Sequence, residues 1–318
     1  MSRPIVRTYQ PGDETALLRV WNGALAADPI SAATWRAKVL LDPNFDPDGC
    51  LIADIGGEVR GFLLSLVRRV PFFGDGYEPE RSWITAFGVE AGFQRRGIGS
   101  SLLDAALSRL RALNRKTVVI SPYVPNYFTP GIDVTAYRPG IDFLMRRDFA
   151  VESRPISMRA ELTGFRIPPS IQERRRALLE DGVDVRPVVA DDITLMLEFI
   201  ARHFTWDWRR EAAGVLTDLF TGDPRGVGML VARRGDEIFG YAQHRGERFG
   251  PFGVRPDLRS RGIGRVLLAA TMREMLMQNL HAAWFLWTEE QAARLYAQCG
   301  FQEVRRFAVM QRALDGEE

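Results

Sequence analysis

The sequence predicts an α+β protein made of two tandem units, each a twisted, mostly antiparallel mixed sheet flanked by helices. Three observations carry that prediction. A sixteen-residue passage occurs twice, as GVEAGFQRRGIGSSLL from Gly88 and as GVRPDLRSRGIGRVLL from Gly253, with eight of its sixteen positions identical. Chance gives roughly one match at ordinary residue frequencies, so the chain is an internal duplication. Each half also opens with a short strand and an amphipathic helix behind an aspartate, and each then shows a hairpin with Gly-rich turn chemistry. Finally, 318 residues with 46% hydrophobic and 26% charged content suffice for two ordinary cores.

In chain order, Ile5 to Tyr9 reads as a strand, followed by Asp13 and by Ala16, Leu17, Val20 and Trp21 on one helical face. LIADIGGEVRGFLLSLV is a hairpin turning at Gly56-Gly57. Between Gly61 and Gly88 the first half is 14 residues longer than the second, and the excess falls in the loop Pro71 to Glu80. After the first Gly-rich turn a further 13 residues are inserted around Asn126 to Asp133. Pro168-Pro169 closes the first unit; Ser170 is expected to cap a connecting helix, with Glu173 completing a capping box and Gly182 ending it. The second half repeats the plan: Val183 to Val189 as a strand, then Asp191 before Ile193, Met196, Leu197 and Ile200, then a hairpin at Gly235-Asp236. The expected domains are residues 1–164, a helical connector 165–182, and residues 183–318.

Composition narrows the function classes. No stretch approaches the ~20 apolar residues of a membrane span, and the N-terminus lacks an apolar signal region, so a cytoplasmic protein is expected. Cys50 and Cys299 lie in different halves, and three histidines offer no zinc spacing, so neither a disulfide framework nor a metal is expected. A net charge of +2 gives no basis for nucleic acid as a partner.

The repeated passage has a chemical logic of its own. An apolar strand, a basic turn, two glycines one residue apart and an amphipathic helix aim backbone N–H groups at one point, where a phosphate is the usual occupant. Arginines crowd both turns, at Arg95, Arg96, Arg259, Arg261 and Arg265. Cations at a helix N-terminus oppose its dipole, a conflict that a bound anion resolves.

Gln94-Arg95-Arg96-Gly97-Ile98-Gly99 and Arg259-Ser260-Arg261-Gly262-Ile263-Gly264 resemble the acetyl-CoA-binding turn of the GNAT acetyltransferase superfamily, Gln/Arg-x-x-Gly-x-Gly/Ala. The resemblance extends over nearly the whole chain, as two GNAT units in tandem. It implies that acetyl-CoA is held by the second turn and its flanks (Phe252, Val254, Arg259, Ser260, Arg261, Gly262, Ile263, Gly264, Arg265 and Glu289). It implies the same of the first turn (Val89, Gln94, Arg95, Arg96, Gly97, Gly99 and Ser100). It further implies a splay between the fourth and fifth strands of each unit. Pro251, which cannot donate a ladder hydrogen bond, suits a bulge or such a splay; its counterpart is Ala86.

The resemblance also points to the acid. Family members carry a Tyr five residues before the Phe of a Gly-Phe pair, which here is Tyr296 before Phe301; a phenol of pKa ~10 is protonated at neutral pH and can donate to the departing thiolate. Aligning Phe149 with Phe301 puts Leu144 at that place in the first half, and leucine donates nothing. The common base position holds Arg248 and Trp83, leaving Glu247, His244 or a water chain as base. Trp206, Asp207, Trp208 and Trp287 are the expected acceptor wall. The reading is an acetyl-CoA-dependent N-acetyltransferase working in its C-terminal half on a small-molecule or peptide amine. The alternatives are a non-catalytic acyl-CoA-binding module and an aminoacyl-tRNA-dependent peptidyltransferase.

Overall fold

The computed structural model describes residues 4–314. In the first part of the chain, β1 (Ile5–Thr8) leads to α1 (Glu14–Ala24) and α2 (Ala32–Trp35), then β2 (Cys50–Ile55), β3 (Glu58–Leu66) and β4 (Arg81–Val89). The Gly-rich turn opens α3 (Ile98–Ala112), followed by β5 (Thr117–Ile120), β6 (Ile132–Asp133), α4 (Arg138–Met145) and β7 (Ala150–Ser153). The second part runs β8 (Ile156–Glu161), α5 (Pro169–Glu180), β9 (Asp184–Pro187), α6 (Ile193–His203), α7 (Trp206–Thr221), β10 (Val227–Arg234), β11 (Glu237–Arg245) and β12 (Arg248–Val254). It continues with α8 (Ile263–Met277), β13 (Ala282–Thr288), α9 (Glu290–Ala297) and β14 (Gln302–Ala313).

The mixed, mostly antiparallel sheets are as expected, but the compact units are not the two halves of the sequence. One unit is Met1–Pro155 with Arg306–Glu318, the other Ile156–Arg305. β8, the last strand of the first sequence half, pairs with β13 (Ala283 opposite Ala160), and β14 pairs with β5 (Met310 opposite Ile120). Each half therefore gives its final strand to the other half's sheet. The expected boundaries at 164 and 183 miss this, because a strand's alternation states which face is apolar and not which neighbour it pairs with. The connecting helix α5 belongs to the second unit, packed on α8 and β9.

Local sequence explains the elements. Arg7 holds Asp13 at 2.7 Å, and Arg186 holds Asp192 at 2.6 Å; each aspartate also accepts the N–H of the residue three before it, Gln10 and Val189. The equivalent of Asp13 is thus Asp192, not the expected Asp191, and neither side chain caps its helix. The anticipated Ser170–Glu173 capping box does not form either. α5 starts two residues earlier than that cap would place it, with Pro168 at the cap and Pro169, which needs no N–H acceptor, at its first position. Helix α3 packs against one face of the first sheet and α1 against the other; α8 and α7 do the same in the second. That leaves the ends of the two parallel pairs, β4–β5 and β12–β13, as the places where the sheets open.

Candidate active site

In the second unit β12 and β13 share a single register pair, Arg248 opposite Trp284, and diverge beyond it. The β11–β12 register shifts between Ala242 and His244, so Gly250 and Pro251 form a bulge. In the first unit β4 and β5 stay paired from Arg81 to Ile84, and the β3–β4 register shifts between Leu64 and Ser65, opposite Thr85 and Ala86. Bulge and splay therefore occur at matching positions in both units, and Pro251 stands where its missing N–H is no liability.

The two turns have the same backbone. Arg95 and Ser260 lie in the left-handed region at φ 61° and 65°, as do Gly97 and Gly262 at 83° and 81°. This alternation tips successive N–H groups inward ahead of α3 and α8, whose first amides lack intrahelical acceptors. Gln94 donates its Nε2 to the carbonyl of Val89 at 2.9 Å, and Arg259 its Nε to that of Val254 at 3.4 Å. The first motif position thus ties the turn back to the strand. Ile98 and Ile263 point into the cores, both 2% exposed, so only their backbones face a ligand. Arg265, Ser260, Arg261 and Glu289 are exposed around the second turn, and Ser100 is half-buried at the first.

What covers the turns differs. A Cβ built on Gly97 meets nothing within 4 Å, and one on Gly99 meets only Val89 Cγ2 at 3.9 Å. On Gly262 it would lie 2.9 Å from Cγ and 3.0 Å from Nε of Arg174, which donates to the carbonyl of Arg261 at 2.8 Å from a position 87 residues away. On Gly264 it would meet Phe252 at 3.3 Å and Leu295 and Val254 at 3.5 Å. Sequence reading missed Arg174, whose only signal is the Arg174-Arg175-Arg176 run in the connector.

Tyr296 stands in the second splay. Its ring packs on Phe285 of β13 at 4.4 Å and Phe252 of β12 at 5.9 Å, with Phe249 and Phe301 around it. Burial pushes its phenol above the usual range, so it stays a proton donor. Leu144, its counterpart, is a fully buried part of the first core.

Both proposed bases are displaced. Glu247 uses Oε1 to accept the N–H groups of His281 and Ala282 at 3.2 and 3.1 Å, at the start of β13 where the strands are still paired. His244 is fully buried, its Nδ1 lies 3.2 Å from the carbonyl of Gly246, and burial lowers it to about 4. Its strand neighbours of the same parity, Gly240 and Ala242, face α8, so it points away from the α7 side. The turn at Gly246 and the alternation of β11 decide both positions.

The residues expected to form an acceptor wall lie on two elements, Trp206, Asp207 and Trp208 at the start of α7 and Trp287 near the end of β13. Trp208 stacks on Phe204 at 4.8 Å, and both meet Tyr241 of β11, at 6.4 and 5.9 Å. Asp207 accepts from Arg210 at 2.9 Å, and burial, partly offset by that arginine, raises its carboxyl. Trp206 begins α7 with Arg209 over its ring at 5.5 Å, and Trp287 is 39% exposed near the end of β13. In the first unit the corresponding face is closed: Trp21 packs on Phe62 and Phe128, and Tyr123 sits between Asp42 and Asn44, with Asn126 also on Asp42. The insertion Asn126 to Asp133 thus packs on the α1 side of the first sheet.

Residues 21–127 match the sequence profile of the Acetyltransferase (GNAT) family, and residues 225–303 that of the Acetyltransferase (GNAT) domain. The chain belongs to the GNAT acetyltransferase family. It is a tandem member, with both units carrying the fold. A mycothiol acetyltransferase of Streptomyces bingchenggensis (strain BCW-1) is 29% identical over 126 residues, spanning 38% of each chain. Among solved structures, the GCN5-related glucosamine N-acetyltransferase region of a fungal multi-domain β-N-acetylglucosaminidase aligns over 98% of this chain and 38% of that one, at TM-score 0.78 and 17% identity. A GCN5-related N-acetyltransferase from Sphaerobacter thermophilus aligns over 99% and 97%, at 0.68 and 16%. A tandem GNAT protein from the clavulanic acid biosynthesis pathway aligns over 99% and 100%, at 0.62 and 15%. At those identities the likeness is one of fold. Among the described residues no helix is long and apolar enough to cross a membrane, and no group of three or more His, Cys, Asp or Glu could hold a metal ion.

Proposed function

We propose that this protein transfers an acetyl group from acetyl-CoA to a primary amine, with the chemistry in the second unit and Tyr296 as the acid. The carrying observation is that the buried ring of Tyr296 lies against both Phe252 of β12 and Phe285 of β13, where the first unit has Leu144. The pyrophosphate would lie on the amides after Gly262, and pantetheine would run along the unpaired edge of β12 from Phe249 to Val254. The residues present fit the cofactor: two left-handed positions, a glycine pair and surrounding arginines make a cradle for a doubly charged phosphate group. Acetyl-CoA supplies the activated thioester. The chain's part is to orient it and to give a proton to sulfur as the C–S bond breaks.

The first unit is read as a coenzyme-binding unit without an acid of its own. Its open glycines favour that reading, while Leu144 and the closed acceptor side argue against transfer there. The name of one structural neighbour, a glucosamine N-acetyltransferase region, supports including glucosamine among the amines to be tried. The test is release of CoA from acetyl-CoA in the presence of a panel of primary amines, glucosamine included, compared between the wild type and Tyr296→Phe. Acceptor-dependent release that survives in the variant removes Tyr296 from the mechanism. No acceptor-dependent release from the wild type, with coenzyme still bound, favours a binding module.

A further inference from the structure

The α7 side of the second unit carries polar groups whose needs the protein does not meet. Tyr241 is 0% exposed and its Oη has no hydrogen-bond partner; Gln243 is 1% exposed and its Oε1 has none. The two are i and i+2 on β11, so they project from the same face, the one against α6 and α7. Buried polar atoms left without partners are rare and mark places where a ligand or water completes the set.

What lies opposite is a cluster of two carboxylates and two arginines. Asp207, Trp208 and Glu211 share one side of α7 at helical spacing, and Trp208 is the residue that touches Tyr241. Gly253 makes room for the Phe204–Trp208 stack: a Cβ there would crowd Phe204 Cζ and lie 3.0 Å from Trp208 Cζ3. Glu211 is drawn to the sheet by Arg248 of β12, 3.9 Å from its Oε2, while Arg210 holds its Oε1 at 2.5 Å. Asp207 is held through Oδ1 alone, by both Nε and Nη2 of Arg210.

We propose that Glu211 and Tyr241 form the proton-accepting side of the acceptor site, where a primary ammonium is held against Trp208 and Phe204 and gives up a proton to Glu211. The inference rests on the reading of the second unit as the catalytic one. Aromatic rings attract an ammonium group, and the carboxylates of Asp207 and Glu211 keep oxygen lone pairs that their contacts with Arg210 and Arg248 leave for its N–H groups. Burial first, then the charges of Glu211 and Asp207, raise the Tyr241 phenol, so it stays protonated beside them. Glu211 is preferred of the two acids because it is the one that Arg248 ties to β12, the strand along which the thioester would lie.

The protons balance. Of the three on the ammonium nitrogen, one stays in the amide and one passes to Glu211 and then to solvent. The third leaves as the tetrahedral intermediate collapses, matching the proton that Tyr296 gives to the sulfur. The C–N bond forms, the C–S bond breaks, and no oxidant or metal is needed.

The experiment uses the full chain saturated with CoA, and benzylamine against benzyl alcohol as probes of one shape that differ in charge at pH 7. The amine is expected to bind at least tenfold tighter, and Glu211→Gln to reduce that preference to within about threefold with CoA affinity unchanged. With acetyl-CoA, Glu211→Gln should lower kcat/KM for benzylamine about a hundredfold, a typical loss for one base. Its rate should then climb about tenfold per pH unit up to the amine's own pKa. Tyr241→Phe, which removes only the hydroxyl, should lower the rate with the same change of profile. No preference for the ammonium in the wild type, or wild-type pH profiles in both variants, overturns the proposal. If Tyr296→Phe is silent while Glu211→Gln is not, the acid assignment fails and this one stands. Loss of CoA binding through Gly99→Val rather than Gly264→Val removes the catalytic-unit reading itself.

Discussion

The two Gly-rich turns share their backbone to within a few degrees of φ and differ in everything around it. Arg95 and Gly97 match Ser260 and Gly262 in the left-handed region. Around the first turn there is open space, whereas the second is bridged by Arg174 and floored by Phe252 and Leu295. Behind the first turn stand a leucine and a closed aromatic face; behind the second stand a tyrosine and unsatisfied polar groups. Duplication kept the local conformation, which a handful of adjacent residues dictate. Divergence acted on the non-local partners, and chemistry depends on those.

The largest expected effect comes from erasing the difference at the acid. Tyr296→Phe should lower turnover roughly 10²–10⁴-fold with CoA affinity and unfolding temperature little changed. Leu144→Tyr should confer nothing on the first unit, since its acceptor side is filled by Tyr123, Asp42 and Asn44. Turnover gained by Leu144→Tyr would show that the first unit lacks only a proton donor.

Next come the glycines. Gly262→Ala places a Cβ against the stem of Arg174 in a left-handed position that costs roughly 1–2 kcal/mol by itself. CoA binding measured by calorimetry should weaken roughly tenfold to a hundredfold. Gly97→Ala bears the conformational cost alone and should leave turnover near the wild-type value. Equal effects of the two would mean that the bridge is irrelevant to coenzyme binding.

The paired aspartates allow a comparison in stability. Burial by itself would raise Asp192, but the bonds from Arg186, the Val189 N–H and Arg233 outweigh it and lower its carboxyl to about 2. A carboxyl lowered in the folded state contributes stability above its unfolded pKa of ~3.9, and that contribution is lost as pH falls through the folded value. Asp192→Asn should therefore cost roughly 2 kcal/mol at pH 7 and almost nothing near pH 1–2. Asp13, lowered chiefly by Arg7 and more open at 11% side-chain exposure, should cost less on the same change. Urea unfolding of both variants from pH 2 to 7 orders the two.

The smallest expected effect is at Arg174. Removing its guanidinium with Arg174→Ala should weaken CoA about tenfold, the scale of one charge-assisted hydrogen bond, with kcat unchanged. Arg174→Lys, which keeps charge without the fork, should fall between. Unchanged affinity in both would reduce Arg174 to a packing contact on Gly262.

Much of this was legible beforehand, and the failures have a common cause. The duplication, the strand–helix order, the hairpins at Gly56-Gly57 and Gly235-Asp236, the bulge at Pro251 and the helix bearing Tyr296 rest on interactions within a few residues. Glu247 and His244 were misplaced because a turn at Gly246 and the alternation of β11 send them to the strand start and to the α8 face. Tyr241, Glu211 and Arg174 were missed because an aromatic in a strand, an acid on a helix and an arginine in a connector are ordinary residues until their neighbours are known.

The sequence by itself determined the repeat, the secondary structure and the conformation of both turns, since these follow from backbone preferences of glycine, proline and periodic apolar residues. Only the tertiary structure decided which strand completes which sheet, pairing β8 with β13 and β14 with β5, because alternation along a strand does not name its neighbour. It also decided which cradle is bridged and which buried hydroxyl has no partner. Those depend on packing between segments far apart in the chain, where one residue's position is set by the sum of many weak contacts rather than by its neighbours in sequence.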